Sequence, residues 1–144
     1  RKDSNAMNYE ADQINIMKWV FIFITMGIIL GTQVRESIEN FISIQMIGPF
    51  KYIHSFLGVG SLMLTGVLWN KINNQKSSSI NIKNKIKWLL GILTTQIGLG
   101  YFMVFGGLPA YMKLAHMWLA SIALGIMVYV LMDVFLSNKT KLHI

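Results

Sequence analysis

Four long apolar runs, set apart by short polar stretches, leave this chain few folds to choose from. They cover roughly residues 15–34, 52–69, 86–106 and 112–136. A helix needs about 20 predominantly apolar residues to cross the ~30 Å hydrocarbon layer of a bilayer, and each run comes close to that length. Inside lipid the backbone must satisfy its own N–H and C=O groups, so runs of this kind become helices. The 144 residues are 53% hydrophobic and 13% charged, which is outside the usual range for a soluble domain. The expected fold is all-α, a polytopic membrane protein built as a four-transmembrane-helix bundle. Residues 1–14 read as a polar N-terminal tail or linker, 15–136 as the transmembrane domain, and 137–144 as a basic cytoplasmic tail.

In such a chain the net charge of +7 is loop charge set against a membrane, not a nucleic-acid footprint. The 70–87 stretch carries Lys71, Lys76, Lys83, Lys85 and Lys87 with no acidic residue, and the C-terminal tail adds Lys139 and Lys141. The other two connections hold only Arg35, Lys51 and Lys113, together with Glu36 and Glu39. The positive-inside rule therefore places both termini and the middle loop in the cytoplasm. Trp19, Trp69 and Trp88 then fall at the inner interface, where tryptophan is enriched. There is no cysteine, hence no disulfide framework and no thiolate ligand. Ser4-Asn5-Ala6 before Met7 resembles a vector-derived scar, while Arg1-Lys2-Asp3 ahead of it equally fit a linker from an upstream domain.

Local punctuation supports four spans. Gly27 and Gly31 form a GxxxG step that lets helix backbones approach closely, here expected to serve packing within the chain. Gly48-Pro49 breaks any helix across the first connection, 70–84 reads as a polar loop, and Gly106-Gly107-Leu108-Pro109 reads as a tight turn into the last span. In the third span Gln96, Gly100 and Met103 share one face. Thr32-Gln33-Val34 is echoed by Thr95-Gln96-Ile97, which suggests two related helical hairpins, with both glutamines expected in interhelical hydrogen bonds.

A second echo carries chemistry. His54-Ser55-Phe56-Leu57-Gly58 and His116-Met117-Trp118-Leu119-Ala120 each open an apolar run. At i, i+4 and i+7, His54 shares a helix face with Gly58 and Ser61, and His116 with Ala120 and Ala123. The second and fourth spans run in the same direction. Each histidine lies a few residues below the outer end of its span, so at ~1.5 Å rise per residue the two reach similar depth. Paired imidazoles over strips of small side chains suit the two axial positions of one heme iron. Arg35, Lys51 and Lys113 stand at the rim, where the propionates of heme b would need cations. A lone intramembrane histidine can instead tie two helices by a hydrogen bond worth about 0.6 kcal/mol, and that reading stays open for each one singly. Small-residue strips by themselves serve helix packing, and Arg35 also suits interface anchoring. A zinc site usually takes three or four protein ligands, more than stand near the pair. His143, in the tail, reads as solvated, and Met103 and Met117 as pocket walls.

Gly31-Thr32-Gln33-Val34-Arg35-Glu36, Tyr52-Ile53-His54, Gln96-Ile97-Gly98-Leu99-Gly100 and Leu108-Pro109 leading to His116 resemble heme A synthase in order and spacing. The resemblance implies one four-helix half of an eight-span architecture made of two similar halves, each with a histidine pair near the outer face. In that family one half handles heme O, whose ring methyl is oxidised to a formyl group, and the other holds a b-type heme for electron transfer. This chain is closer to the C-terminal, cofactor-holding half. Lys51 stands where the catalytic half has glutamate, Ser55 where arginine commonly follows the histidine, and the cysteine pair of many members is absent. The resemblance thus implies a bis-histidine heme b domain of the bacterial inner membrane, surrounded by lipid. Its partner would be a second four-helix half or a homodimer copy, with heme O as the substrate of the whole. No catalytic residue is assigned. A standalone membrane b-type cytochrome and a non-redox assembly or interaction subunit remain as alternatives.

Overall fold

The computed structural model describes residues 9–39, 48–75, 79–105 and 109–139. They form α1 (Ala11–Glu39), α2 (Phe50–Asn74), α3 (Ile80–Phe105) and α4 (Ala110–Lys139). All four are long and apolar enough to cross a membrane, so the chain is an all-α membrane protein. Only 17–22% of each apolar window is buried inside the protein, which leaves most of the apolar surface for lipid. Consecutive helices pack side by side and α4 closes on α1, giving an up-down-up-down ring. One end of the bundle carries the start of α1 and the close of α4, here termed the terminal end. The other, where α2 and α4 begin, is the histidine end.

Each helix starts where its sequence supplies a local signal. Ahead of α1, the Gln13 side chain accepts from the Glu10 N–H at 3.2 Å while the Gln13 N–H donates to the Glu10 carbonyl at 2.9 Å. The first bond is one half of a capping box, and the second is a main-chain turn bond. Gly48 adopts φ 67°, open to glycine at little cost, and Pro49 follows as the cap of α2 at φ −70°. The Ser79 hydroxyl accepts from the Asn81 N–H at 3.2 Å at the head of α3. Pro109 offers its carbonyl to the N–H groups of Met112 and Lys113 at the head of α4.

The helices outrun the apolar runs. The polar loop expected over 70–84 is largely helical, since α2 continues through Asn74 and α3 begins at Ile80. Hydropathy marks where a helix leaves lipid, not where its hydrogen bonding stops. The Lys83 ammonium donates to the carbonyls of Asn73 and Gln75, both at 3.1 Å, and so closes the end of α2. Likewise α1 begins at Ala11, inside the expected tail, and α4 runs on to Lys139. Residues 1–8, Lys76, Ser77, Ser78, the Gly106-Gly107-Leu108 turn, Lys141 and His143 lie outside the described residues.

Large aliphatic side chains fill the terminal half of the bundle. Met17 and Val20 of α1, Leu68 and Ile72 of α2, Ile82, Ile86 and Leu89 of α3, and Met127 and Val130 of α4 are fully buried there. Polar contacts clamp the same end: Gln13 Nε2 donates to Gln75 Oε1 at 3.0 Å, and Lys71 pairs with Asp12 at 3.3 Å. Tyr9 folds against this end, and its phenol is pushed up to about 12, first by burial and then by Asp133.

Candidate functional site

Followed toward the histidine end at helical spacing, every inward stripe changes character at the same level. On α1 it passes from Ile24 to Gly27 and Gly31, and on α2 from Thr65 to Ser61, Gly58 and His54. On α3 it passes from Leu93 to Gln96 and Gly100, and on α4 from Met127 to Ala123, Ala120 and His116. Ser61 and Ala123 are buried at 2% and 1% exposure, so the small strips beneath both histidines face inward. A Cβ placed on Gly58 would meet nothing within 4 Å, although Gly58 lies on the inward stripe of α2. Gly58 is half-buried, one turn along the stripe from His54.

His54 is held by α1. Its Nδ1 lies 2.9 Å from the Gly27 carbonyl oxygen. A carbonyl only accepts, so Nδ1 carries the proton and Nε2 is left with its lone pair. The imidazole reaches this position because Gly31 has no side chain: a Cβ there would lie 2.9 Å from His54 Cε1. The GxxxG step therefore packs against the histidine, beyond general helix contact. Gly27 approaches α2 at Leu57, and Gly60 receives the Phe23 ring in turn.

His116 is approached by α3. Gly100 stands opposite it, where a Cβ would make ordinary contact at 3.6 Å with Cε1. Gln96 Nε2 donates to the His116 carbonyl at 2.8 Å. Gln96 Oε1 and His116 Nδ1 are both buried without a hydrogen-bond partner. The two hairpins thus repeat one device, a histidine facing a glycine on the preceding helix. The correspondence is Gly31 with Gly100, which differs from the register of the Thr-Gln echo. Gln33, the other member of that echo, is exposed on α1.

The two imidazoles meet edge to face inside the helix ring, with centroids 6.3 Å apart and planes inclined at 63°. A metal–imidazole bond of about 2 Å, with the ring centre about 1 Å behind the nitrogen, sets the centroids of two trans imidazoles about 6 Å apart. Among the described residues no group of three or more His, Cys, Asp and Glu comes together. A metal that brings its own equatorial ligands needs only the two imidazoles.

At the rim, Arg35 and Lys113 line one cavity of about 280 Å³ between α1 and α4, with Ala110, Leu114 and Met117. The Arg35 guanidinium donates to Met117 Sδ at 2.7 Å. Lys51 is not in that lining; its ammonium sits 5.0 Å from the centre of the Tyr52 ring. Met103 is buried on the α3 stripe. Of the residues singled out by sequence, the structure brings together the two histidines, their small-residue strips, and Arg35 with Lys113. Gly31 and Gly100 face the imidazoles, a role that a GxxxG step or a shared helix face does not reveal, since periodicity within one helix does not say which neighbour it meets. No family model, curated protein or solved structure matches the chain.

Proposed function

We propose that this chain is a membrane b-type cytochrome unit that holds one heme b between His54 and His116, as the cofactor half of a heme A synthase-like protein. The carrying observation is the pair of imidazoles with centroids 6.3 Å apart, at a level where small residues enter all four inward stripes. A Cβ on Gly58, one turn from His54, would meet nothing within 4 Å, and the His54 proton lies on Nδ1, leaving Nε2 for the metal. Arg35 and Lys113, sharing one rim cavity, are suited to propionate carboxylates. Bound there, the heme would supply a one-electron couple. The chain's part is to fix two nitrogen ligands, exclude water with its apolar walls, and neutralise carboxylates at the rim. Held by both His54 and His116, the heme would be poorly suited to oxygen chemistry, and oxidation of heme O would fall to a second four-helix half or a partner copy.

The lysines of the 71–87 stretch support placing the terminal end in the cytoplasm and the histidine end toward the outer face of a bacterial inner membrane. A rival reading, a non-redox assembly subunit whose histidines only tie helices, draws on the His54–Gly27 contact. It leaves the approach of the two imidazoles to 6.3 Å without a purpose. The deciding experiment is a reduced-minus-oxidised spectrum of the purified chain after heme supplementation. A b-type α-band is expected; its absence would sink the redox reading and leave the tie.

A further inference from the structure

We propose that Arg35 is the specificity-determining residue of the heme site: bonded across the α1–α4 seam to Met117 Sδ, it exchanges that partner for a heme propionate, and so selects hemes with free carboxylates and draws their carboxylate edge to this seam. The inference rests on the heme reading above. Arg35 and Lys113 share a cavity of about 280 Å³ at the rim with Ala110, Leu114 and Met117. About two helical turns further in, Ile28 and Leu124 pack partly buried against the core, which closes the seam below the cavity.

The bond that Arg35 makes across the seam is a weak one to give up. Its guanidinium donates to Met117 Sδ at 2.7 Å, and a thioether sulfur is a weak acceptor. A guanidinium and a carboxylate instead match as a fork of two charge-assisted bonds, each roughly twice as strong as a neutral one. A propionate in the cavity therefore displaces Met117 at a net gain. Met117 directly follows the ligand His116, so the exchange takes place beside the iron site.

The other seam between the hairpins supplies the contrast. Val20, Ile24 and Gly31 of α1 recur at one constant spacing as Leu89, Leu93 and Gly100 of α3. His54, Ser61 and Thr65 of α2 recur at another as His116, Ala123 and Met127 of α4. The inward faces of the two hairpins are thus related by an approximate two-fold axis along the bundle. By the same spacings, the counterparts of Arg35, Met117 and Lys113 are Val104, Ser55 and Lys51 at the α2–α3 seam. There the valine brings no charge, the Ser55 hydroxyl bonds back to the Lys51 carbonyl at 2.9 Å, and the Lys51 ammonium lies 5.0 Å from the Tyr52 ring centre. Of two equivalent edges open to a macrocycle on that axis, the α1–α4 edge is the one that adds a guanidinium to its lysine.

The test is spectral titration of the whole chain with heme b and with its dimethyl ester, which keeps the iron and the ring but lacks the carboxylates. Wild type should bind heme b roughly 10–100-fold more tightly than the ester. Arg35→Leu should lose most of that preference by weakening heme b alone, and Lys51→Leu should reduce it less. Met117→Leu, which nearly conserves volume, should tighten heme b by roughly 2–10-fold and leave the ester as it was. No preference in the wild type, a preference undiminished in Arg35→Leu, or loss of both compounds from that variant would overturn the proposal. So would a cost in Lys51→Leu as large as in Arg35→Leu, or heme b bound no more tightly by Met117→Leu than by wild type. A wild-type chain that forms a low-spin complex with neither compound would instead sink the underlying reading.

Discussion

At the scale of single residues, the glycines give the sharpest expectations. Gly31→Ala puts a methyl 2.9 Å from His54 Cε1, and the imidazole must move off the Gly27 carbonyl to accommodate it. Gly125→Ala is the control, since its Cβ meets nothing within 4 Å. Heme retention should fall in the first variant and stay at the wild-type level in the second, by spectral titration of matched samples. The histidines and their strips were legible in the sequence because i, i+4 and i+7 positions fall on one helix face whatever the tertiary context. Gly27, Gly31 and Gly100 were not legible as histidine contacts, because that depends on which neighbouring helix meets them and in what register. Gln96 stood in view as a polar face, but only the fold shows that it reaches the His116 carbonyl.

At the scale of the helices, the large aliphatic residues buried at the terminal end and the small residues that enter the stripes near the histidines divide the bundle into a packed half and a more open half. Substitutions in the two halves should therefore separate stability from binding. Leu89→Ala, in the packed half, should cost about 2–5 kcal/mol by cavity formation and lower the unfolding midpoint. Heme spectra of its folded fraction should be unchanged. Gly58→Leu, in the open half, fills space instead of creating it. It should leave the apo-protein at least as stable as wild type and abolish heme uptake; unchanged uptake would show that heme does not occupy the space beside Gly58. Helix number and order followed directly from hydropathy. Helix ends did not, because Lys83 and Ser79 complete the hydrogen bonding of α2 and α3 with residues too polar for a hydropathy window to include.

For the whole molecule, topology and cofactor are linked, because the orientation decides which side of the membrane the histidine end faces. Since the chain contains no cysteine, single substitutions report cleanly. Asn84→Cys should react with an impermeant thiol reagent only after cells are opened, and Pro49→Cys should react in intact cells. The reverse pattern would turn the bundle over. The central claim is that one iron sits between His54 and His116, and electron paramagnetic resonance of the ferric, heme-loaded protein tests it most directly. With imidazole planes 63° apart, a strongly anisotropic low-spin signal is expected, converting to high-spin or disappearing in His54→Ala and in His116→Ala. A low-spin signal that survives in both variants, or a heme that is high-spin in the wild type, would contradict it.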